Sequence, residues 1–158
     1  PLTSLGKFRV IEKHQYRGMD FKAQAEQIRH ITETYNVEYI GIDATGMGLG
    51  VYENVRLFYP GVTKIIYSIE SKSRMVLKAQ DVIRNGRLEF DAGSVDIAQS
   101  FMSIKKTLTA SGQHVTYDAG RSDTTGHADL AWAVMHALDH EPLAGNTENR
   151  QSFMETFQ

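Results

Sequence analysis

Apolar residues along the chain recur in two rhythms, one of period two and one of three to four. Lys7 to Tyr16 (KFRVIEKHQY) alternates, with Phe8, Val10 and Glu12 on one side, and predicts a half-buried strand ended by Arg17-Gly18. From Phe21 the apolar steps lengthen (Phe21, Ala25, Ile28, Ile31, Tyr35), which predicts a helix capped by Asp20 and closed at Asn36. Val37 to Ile42 reads as a short buried strand ending at Asp43, Val51 to Tyr59 as a helix stopped by Pro60-Gly61, and Lys64 to Ser68 as an isoleucine-rich strand. Ser73 to Ile83 is amphipathic, with Met75, Val76, Ala79, Val82 and Ile83 as its inner stripe. Asn85-Gly86 turns the chain into a short strand from Arg87 to Phe90. Ser94 caps a further helix that lines up Ile97, Phe101, Ile104 and Leu108, and Ser111-Gly112 leads into a strand from His114 to Tyr117. After a polar loop, His127 to Leu138 forms the last helix, with Leu130, Ala133 or Val134, and Ala137 facing inward. The alternation predicts an α/β domain with a mixed sheet over 1–143 and a polar tail over 144–158.

Composition narrows the class without changing that picture. At 158 residues, 41% hydrophobic and 23% charged, the chain has the make-up of one globular domain with a sizeable core. It contains no cysteine, so disulfides and thiolate metal sites are excluded. No apolar run is long enough to span a bilayer, and no membrane partner is expected. A net charge of −2 does not advertise a nucleic-acid binder. A nuclease nevertheless gathers carboxylates at its metals and places its basic residues elsewhere. The chain opens at Pro1 on the loop-like PLTSLG, as a piece of a longer polypeptide would.

Candidate chemistry concentrates in two segments. In YIGIDATGMGLGVYE, Gly46, Gly48 and Gly50 lie between strand and helix, where a dinucleotide loop belongs, but Val51 stands where G-x-G-x-x-G needs its last glycine. The run also lacks the lysine and hydroxyl residue of a phosphate loop, so the glycines read as a tight turn. Asp43, at the carboxyl end of a buried strand, is placed either to hold a hard cation or to cap the turn that follows it. In GHADLAWAVMHAL, Asp129 opens a helix, where the macrodipole favours a negative charge. The small residues of that helix permit close docking on a sheet, so Asp43 and Asp129 form a candidate metal pair; two carboxylates that close repel unless a cation or proton lies between them. His127 is a candidate for orienting water or phosphate, with capping as the alternative. His136 and His140, near Asp139 and Glu141, imitate a zinc site but lack the H-E-x-x-H order and read as helix-end surface histidines. Lys72, Arg74, Lys78, Arg84 and Arg87, with Lys105 and Lys106 further on, offer charge to a nucleic-acid backbone or form the outer face of amphipathic elements. Trp132 and Phe101 sit at core spacing.

The segments KFRVIEKHQYRGMDFKAQAEQI, YIGIDATGMGLGVYENVR, GRLEFDAG and GHADLAWAVMHAL together resemble the C-terminal nuclease domain of large terminase subunits from tailed bacteriophages, from about Lys7 to Leu143. The resemblance implies an RNase H-like fold and a Mg2+- or Mn2+-dependent endonuclease that cuts concatemeric double-stranded DNA by a two-metal mechanism. It maps the central-strand acid to Asp43 and the helix acid to Asp129. The family's first acid would lie upstream of Pro1, on a strand this chain lacks; Asp91 and Asp123 are the nearest substitutes and match no family motif. The family's ATPase domain, and with it ATP, would also lie upstream. The resemblance further implies a small terminase subunit and a portal as partners, and the cytoplasm of a bacterial host as the location. A resolvase or transposase core of the same fold, and a non-catalytic domain that docks on DNA or portal, are the rival readings.

Overall fold

The computed structural model describes residues 6–119 and 128–141. Helix α1 (Phe21–Thr34) begins where expected, because the Asp20 carboxylate accepts a hydrogen bond from the Ala23 amide at 2.7 Å. Its Ala25, Ile28 and Ile31 pack against Val51 and Val55 of α2 (Gly48–Arg56). Strands β2 (Gly41–Asp43) and β3 (Thr63–Ile65) pair in parallel, with Gly41 opposite Thr63 and Asp43 opposite Ile65. Ile40 and Ile42 join the core made with α1 and α2, whereas Ile65 belongs to a second core with the helices that follow. The short parallel pair is thus the seam between two apolar clusters, and Asp43 stands at its carboxyl end.

Helix α3 (Ile69–Arg84) starts a turn earlier than the apolar stripe predicts. Ser68 and Ser71 form a reciprocal capping box, each hydroxyl accepting from the other's backbone N–H, at 2.8 and 3.0 Å. Met75, Val76, Ala79 and Val82 are buried as expected, while Ile83 is 44% exposed and lies off the stripe. Strand β1 (Phe8–Arg9) pairs in parallel with β4 (Leu88–Glu89), much shorter than the alternation from Lys7 to Tyr16 predicts. After the Val10 amide reaches the Glu89 carbonyl at 2.9 Å, β4 offers no further ladder, and 11–15 are exposed.

The predicted helix through Leu108 is corrected. Helix α4 (Val95–Ser103) ends at Ser103, and β5 (Ile104–Leu108) pairs antiparallel with β6 (Val115–Ala119). Long-range pairing overrides the helical spacing of Ile104 and Leu108, and Leu108 is 63% exposed. Among the described residues the strands therefore form three two-stranded sheets, two parallel and one antiparallel, with helices packed around them.

Helix α5 (Asp129–Asp139) completes the second core through Ala131, Trp132, Met135 and Leu138. Its inner face is turned from the predicted one: Leu130, Ala133 and Val134 are only half-buried, while Ala137 is buried as expected. Trp132 and Phe101 are packing residues of this cluster, as their spacing predicts. Ala128 precedes α5 at φ 62°, a left-handed conformation with no side-chain cap to offer. The buried Ser100 of α4 supplies the cap from outside, its hydroxyl accepting the Ala131 N–H at 2.9 Å.

Candidate metal centre

Asp43 is half-buried where β2 ends, and two interactions fix it. The next amide, Ala44 N–H, continues the ladder to the Ile65 carbonyl at 2.9 Å, and the Thr45 N–H donates to Asp43 Oδ1 at 2.8 Å. This Asx turn pins the carboxylate while leaving lone pairs for a further ligand. Capping and cation holding are therefore compatible roles for the same side chain. The Thr45 hydroxyl in turn accepts the Tyr67 N–H at 3.0 Å, which ties the ends of β2 and β3 together beyond the ladder.

The glycines after Asp43 serve this turn. Gly46 adopts φ +76°, and a Cβ on Gly48 would run into the Asp43 carbonyl oxygen. A Cβ on Gly50 would meet the Phe21 ring, so α2 sits tightly against the first turn of α1. The positive φ of Gly46 and the protein atoms against Gly48 and Gly50 support reading them as a turn.

Asp129 is exposed at the first position of α5. The neighbouring Ala128 and Ala131 share a core cluster with Ile65, the register partner of Asp43, and α5 also packs on β2. Helix α5 therefore packs against the β2–β3 pair that ends at Asp43. The donor set fits a hard divalent cation, since magnesium prefers oxygen ligands and takes only one or two protein carboxylates. Among the described residues no group of three metal-ligating side chains comes together.

His127 and Asp123 lie outside the described residues, as does the tail over 144–158. Asp91 is exposed and closes its own turn, accepting the Gly93 N–H at 2.7 Å. The basic residues divide. Lys72 places its ammonium 5.6 Å from the Tyr67 ring centroid and 5.9 Å from that of Trp132, and 3.5 Å from Asp118 Oδ1. Arg74 makes a two-pronged pair with Asp139 at 3.0 Å on each arm, and Lys78 donates to the Asp139 and Glu141 carbonyls at 2.8 and 3.0 Å. These two join α3 to the end of α5, and the Arg74 guanidinium beside Asp139 helps hold that carboxyl below its usual range against the opposing effect of burial. Arg87 donates to the Gly6 carbonyl at 2.8 Å with its guanidinium over Phe8, whereas Arg84, Lys105 and Lys106 are exposed.

The surface reading of His136 is corrected. Its side chain is fully buried, and its Nε2 lies 2.6 Å from the Tyr67 hydroxyl. Burial pushes its pKa down to about 4, although the charges of Asp43 and Asp139 oppose the shift. That Asp43 acts on His136 shows the carboxylate lies within electrostatic reach of α5. His140 is exposed and stacks on Tyr39 at 4.2 Å, so the two histidines serve different contacts. The residues that the sequence reading missed are Thr45, Tyr67 and Ser100, and His136 was misplaced at the surface. The legible signal for His136 was its place seven positions after Asp129, on the same stripe of an apolar helix.

Known proteins share this chain's sequence pattern and fold. The terminase RNaseH-like domain family matches residues 3–141. The chain is 60% identical over 143 residues to the terminase ATPase subunit of Escherichia phage P2, covering 90% of this chain and 24% of that protein. It is 42% identical over 146 residues to a probable terminase ATPase subunit of Haemophilus phage HP1, covering 92% of this chain and 24% of the relative. The chain therefore spans about a quarter of the length of the curated relatives it matches. Among solved structures it resembles the large terminase nuclease of thermophilic phage G20c with bound magnesium, at TM-score 0.65 and 20% identity, covering 78% of this chain and 63% of that one. The cobalt-bound form of the same nuclease aligns at TM-score 0.65 and 18% identity, covering 79% and 64%. The fold is RNase H-like.

Proposed function

The chain belongs to the terminase RNaseH-like domain family, and from that premise we infer that it is a divalent-metal-dependent DNA endonuclease domain of a phage packaging terminase. The observation that carries this reading is Asp43, pinned at the carboxyl end of β2, the strand against which the helix that begins with Asp129 packs. Solved relatives of this fold hold magnesium and cobalt, which supports a divalent ion here. Bound cations, Mg2+ or Mn2+, supply the Lewis acidity and the acidified water of a two-metal phosphodiester hydrolysis.

The chain's own residues do the rest. Asp43 and Asp129 hold the ions, and no side chain acts as covalent nucleophile. Thr45 keeps the Asp43 carboxylate in one orientation between turnovers. Lys72, braced over Tyr67 and Trp132, exchanges its contact with Asp118 for a backbone phosphate and reads no sequence. His127 positions phosphate or relays a proton next to Asp129. Concatemeric double-stranded DNA in the host cytoplasm is the substrate, with cut-site choice left to the small terminase subunit and portal, and ATP to a separate ATPase domain.

Plasmid cleavage with Mn2+ or Mg2+ tests the reading. Asp43→Ala and Asp129→Ala each abolish nicking and linearisation if it holds; cleavage at the parent rate in both variants would end it.

A further inference from the structure

We propose that the Tyr67–His136 hydrogen bond is a latch that sets the register of α5 against the ends of β2 and β3, and thereby positions Asp43 relative to Asp129. The inference rests on the metal-centre reading above. A continuous line of contacts joins Asp43 to the helix that carries Asp129. The Thr45 N–H donates to Asp43 Oδ1 at 2.8 Å, the Tyr67 N–H donates to Thr45 Oγ1 at 3.0 Å, and the Tyr67 hydroxyl meets His136 Nε2 at 2.6 Å. His136 lies on the helix that begins with Asp129, two turns further along and on nearly the same stripe. A shift of α5 along its axis would break the bond at His136 and carry Asp129 away from the strand ends.

The chemistry of the site favours a positioning role over simple packing. Among the described residues the buried polar or charged side chains are Ser71, Ser100 and His136, and both serines satisfy helix termini. His136 is wholly enclosed beside Trp132, Met135 and Leu138, where an aliphatic side chain would pack with no polar atom to satisfy. Its Nδ1 has no hydrogen-bond partner among the described residues. An unpaired buried N–H is costlier than an unpaired lone pair, so the ring proton belongs on Nε2, donating to the Tyr67 hydroxyl. The imidazole accepts one orphaned nitrogen in order to make this one contact. The Tyr67 ring is held on its other sides by Trp132, at 5.2 Å between centroids, and by the Lys72 ammonium, so the latch is a defined object.

Tyr67 and His136 touch neither metal nor DNA on this account; they are positioning residues. Isothermal titration of Mn2+ into the metal-free protein, well below the unfolding midpoint of each variant, separates this role from a structural one. Tyr67→Phe removes only the hydroxyl and keeps the ring contacts; it and His136→Leu weaken Mn2+ binding about tenfold or more. His136→Gln retains a neutral donor nitrogen and recovers most of the affinity. In the metal-free protein the Thr45 and Tyr67 amides exchange faster in His136→Leu, since both sit on the line of contacts. Asp43→Asn is measured beside them and abolishes binding. If Asp43→Asn abolishes binding while Tyr67→Phe and His136→Leu bind Mn2+ like the parent, the latch is overturned and the metal reading stands, even when their unfolding midpoints fall. If Asp43→Asn itself binds like the parent, the metal reading and the latch fall together.

Discussion

Acidification tests the buried histidine quantitatively. His136 is 0% exposed, and burial holds its pKa at about 4 against an ordinary value of 6.5, with Asp43 and Asp139 acting in the opposite direction. The unfolded chain therefore binds a proton at this position over a range in which the native protein does not, and stability rises with pH across it. Relative to neutral pH, the native state begins to lose stability below 6.5 and goes on losing it until the folded pKa is passed. At ~1.4 kcal/mol per pKa unit the full loss is about 3 kcal/mol, of which about 2 kcal/mol has accrued by pH 5. Most carboxylates remain ionised at that point, so the window isolates the histidine. Urea unfolding of the parent and His136→Gln at pH 7.5, 6 and 5 gives the comparison, with midpoints read at constant m-value. The parent loses about 2 kcal/mol more than the variant over this interval. Parallel curves would show that His136 takes up its proton in the native state, and the enclosed, neutral imidazole would be wrong.

Four further substitutions probe the supports of the site. Gly48→Ala forces a Cβ against the Asp43 carbonyl and costs about 2–3 kcal/mol in urea unfolding, while Gly46→Ala, strained in φ but facing open space, costs about 1 kcal/mol; the reverse order would contradict the turn geometry. Ser100→Ala leaves the buried Ala131 N–H without its acceptor, and thermal unfolding should register a loss of about 1–2 kcal/mol with faster amide exchange at the start of α5, whereas an unchanged midpoint would deny the external cap. Arg74→Ala frees Asp139 from its two-pronged partner and destabilises the fold by about 1 kcal/mol without altering the salt dependence of DNA binding; an unchanged midpoint with a shallower salt slope would return Arg74 to the DNA surface.

Local signals carried much of this fold. Asp20 caps α1, and the stripe of Met75, Val76, Ala79 and Val82 marks the inner face of α3, because capping and periodicity act within a few residues; Ser94 stands at the start of α4 but its side chain makes no cap hydrogen bond. The resemblance to the terminase nuclease domain, built on I-D-A-T-G and H-A-D-L-A, is borne out by the family match across residues 3–141. Features that depend on distant partners were not legible. Lys7 to Tyr16 alternates well beyond β1, yet β4 supplies a ladder for only two residues. Ile104 and Leu108 keep helical spacing with Ile97 and Phe101, yet pairing with 115–119 draws them into a strand. Likewise His136 reads as a polar residue near a helix end until Tyr67, 69 positions earlier, is seen to meet it. Ser100 gives no sign in sequence that it caps a helix beginning at Asp129.

The central claim is that Asp43 and Asp129 share a cation. Diffraction from crystals grown with Mn2+, recorded where manganese scatters anomalously, locates that ion directly. The account predicts an anomalous peak about 2.0–2.3 Å from a carboxylate oxygen of both Asp43 and Asp129, lost in Asp43→Asn. Full anomalous occupancy at a site that touches neither carboxylate would contradict it.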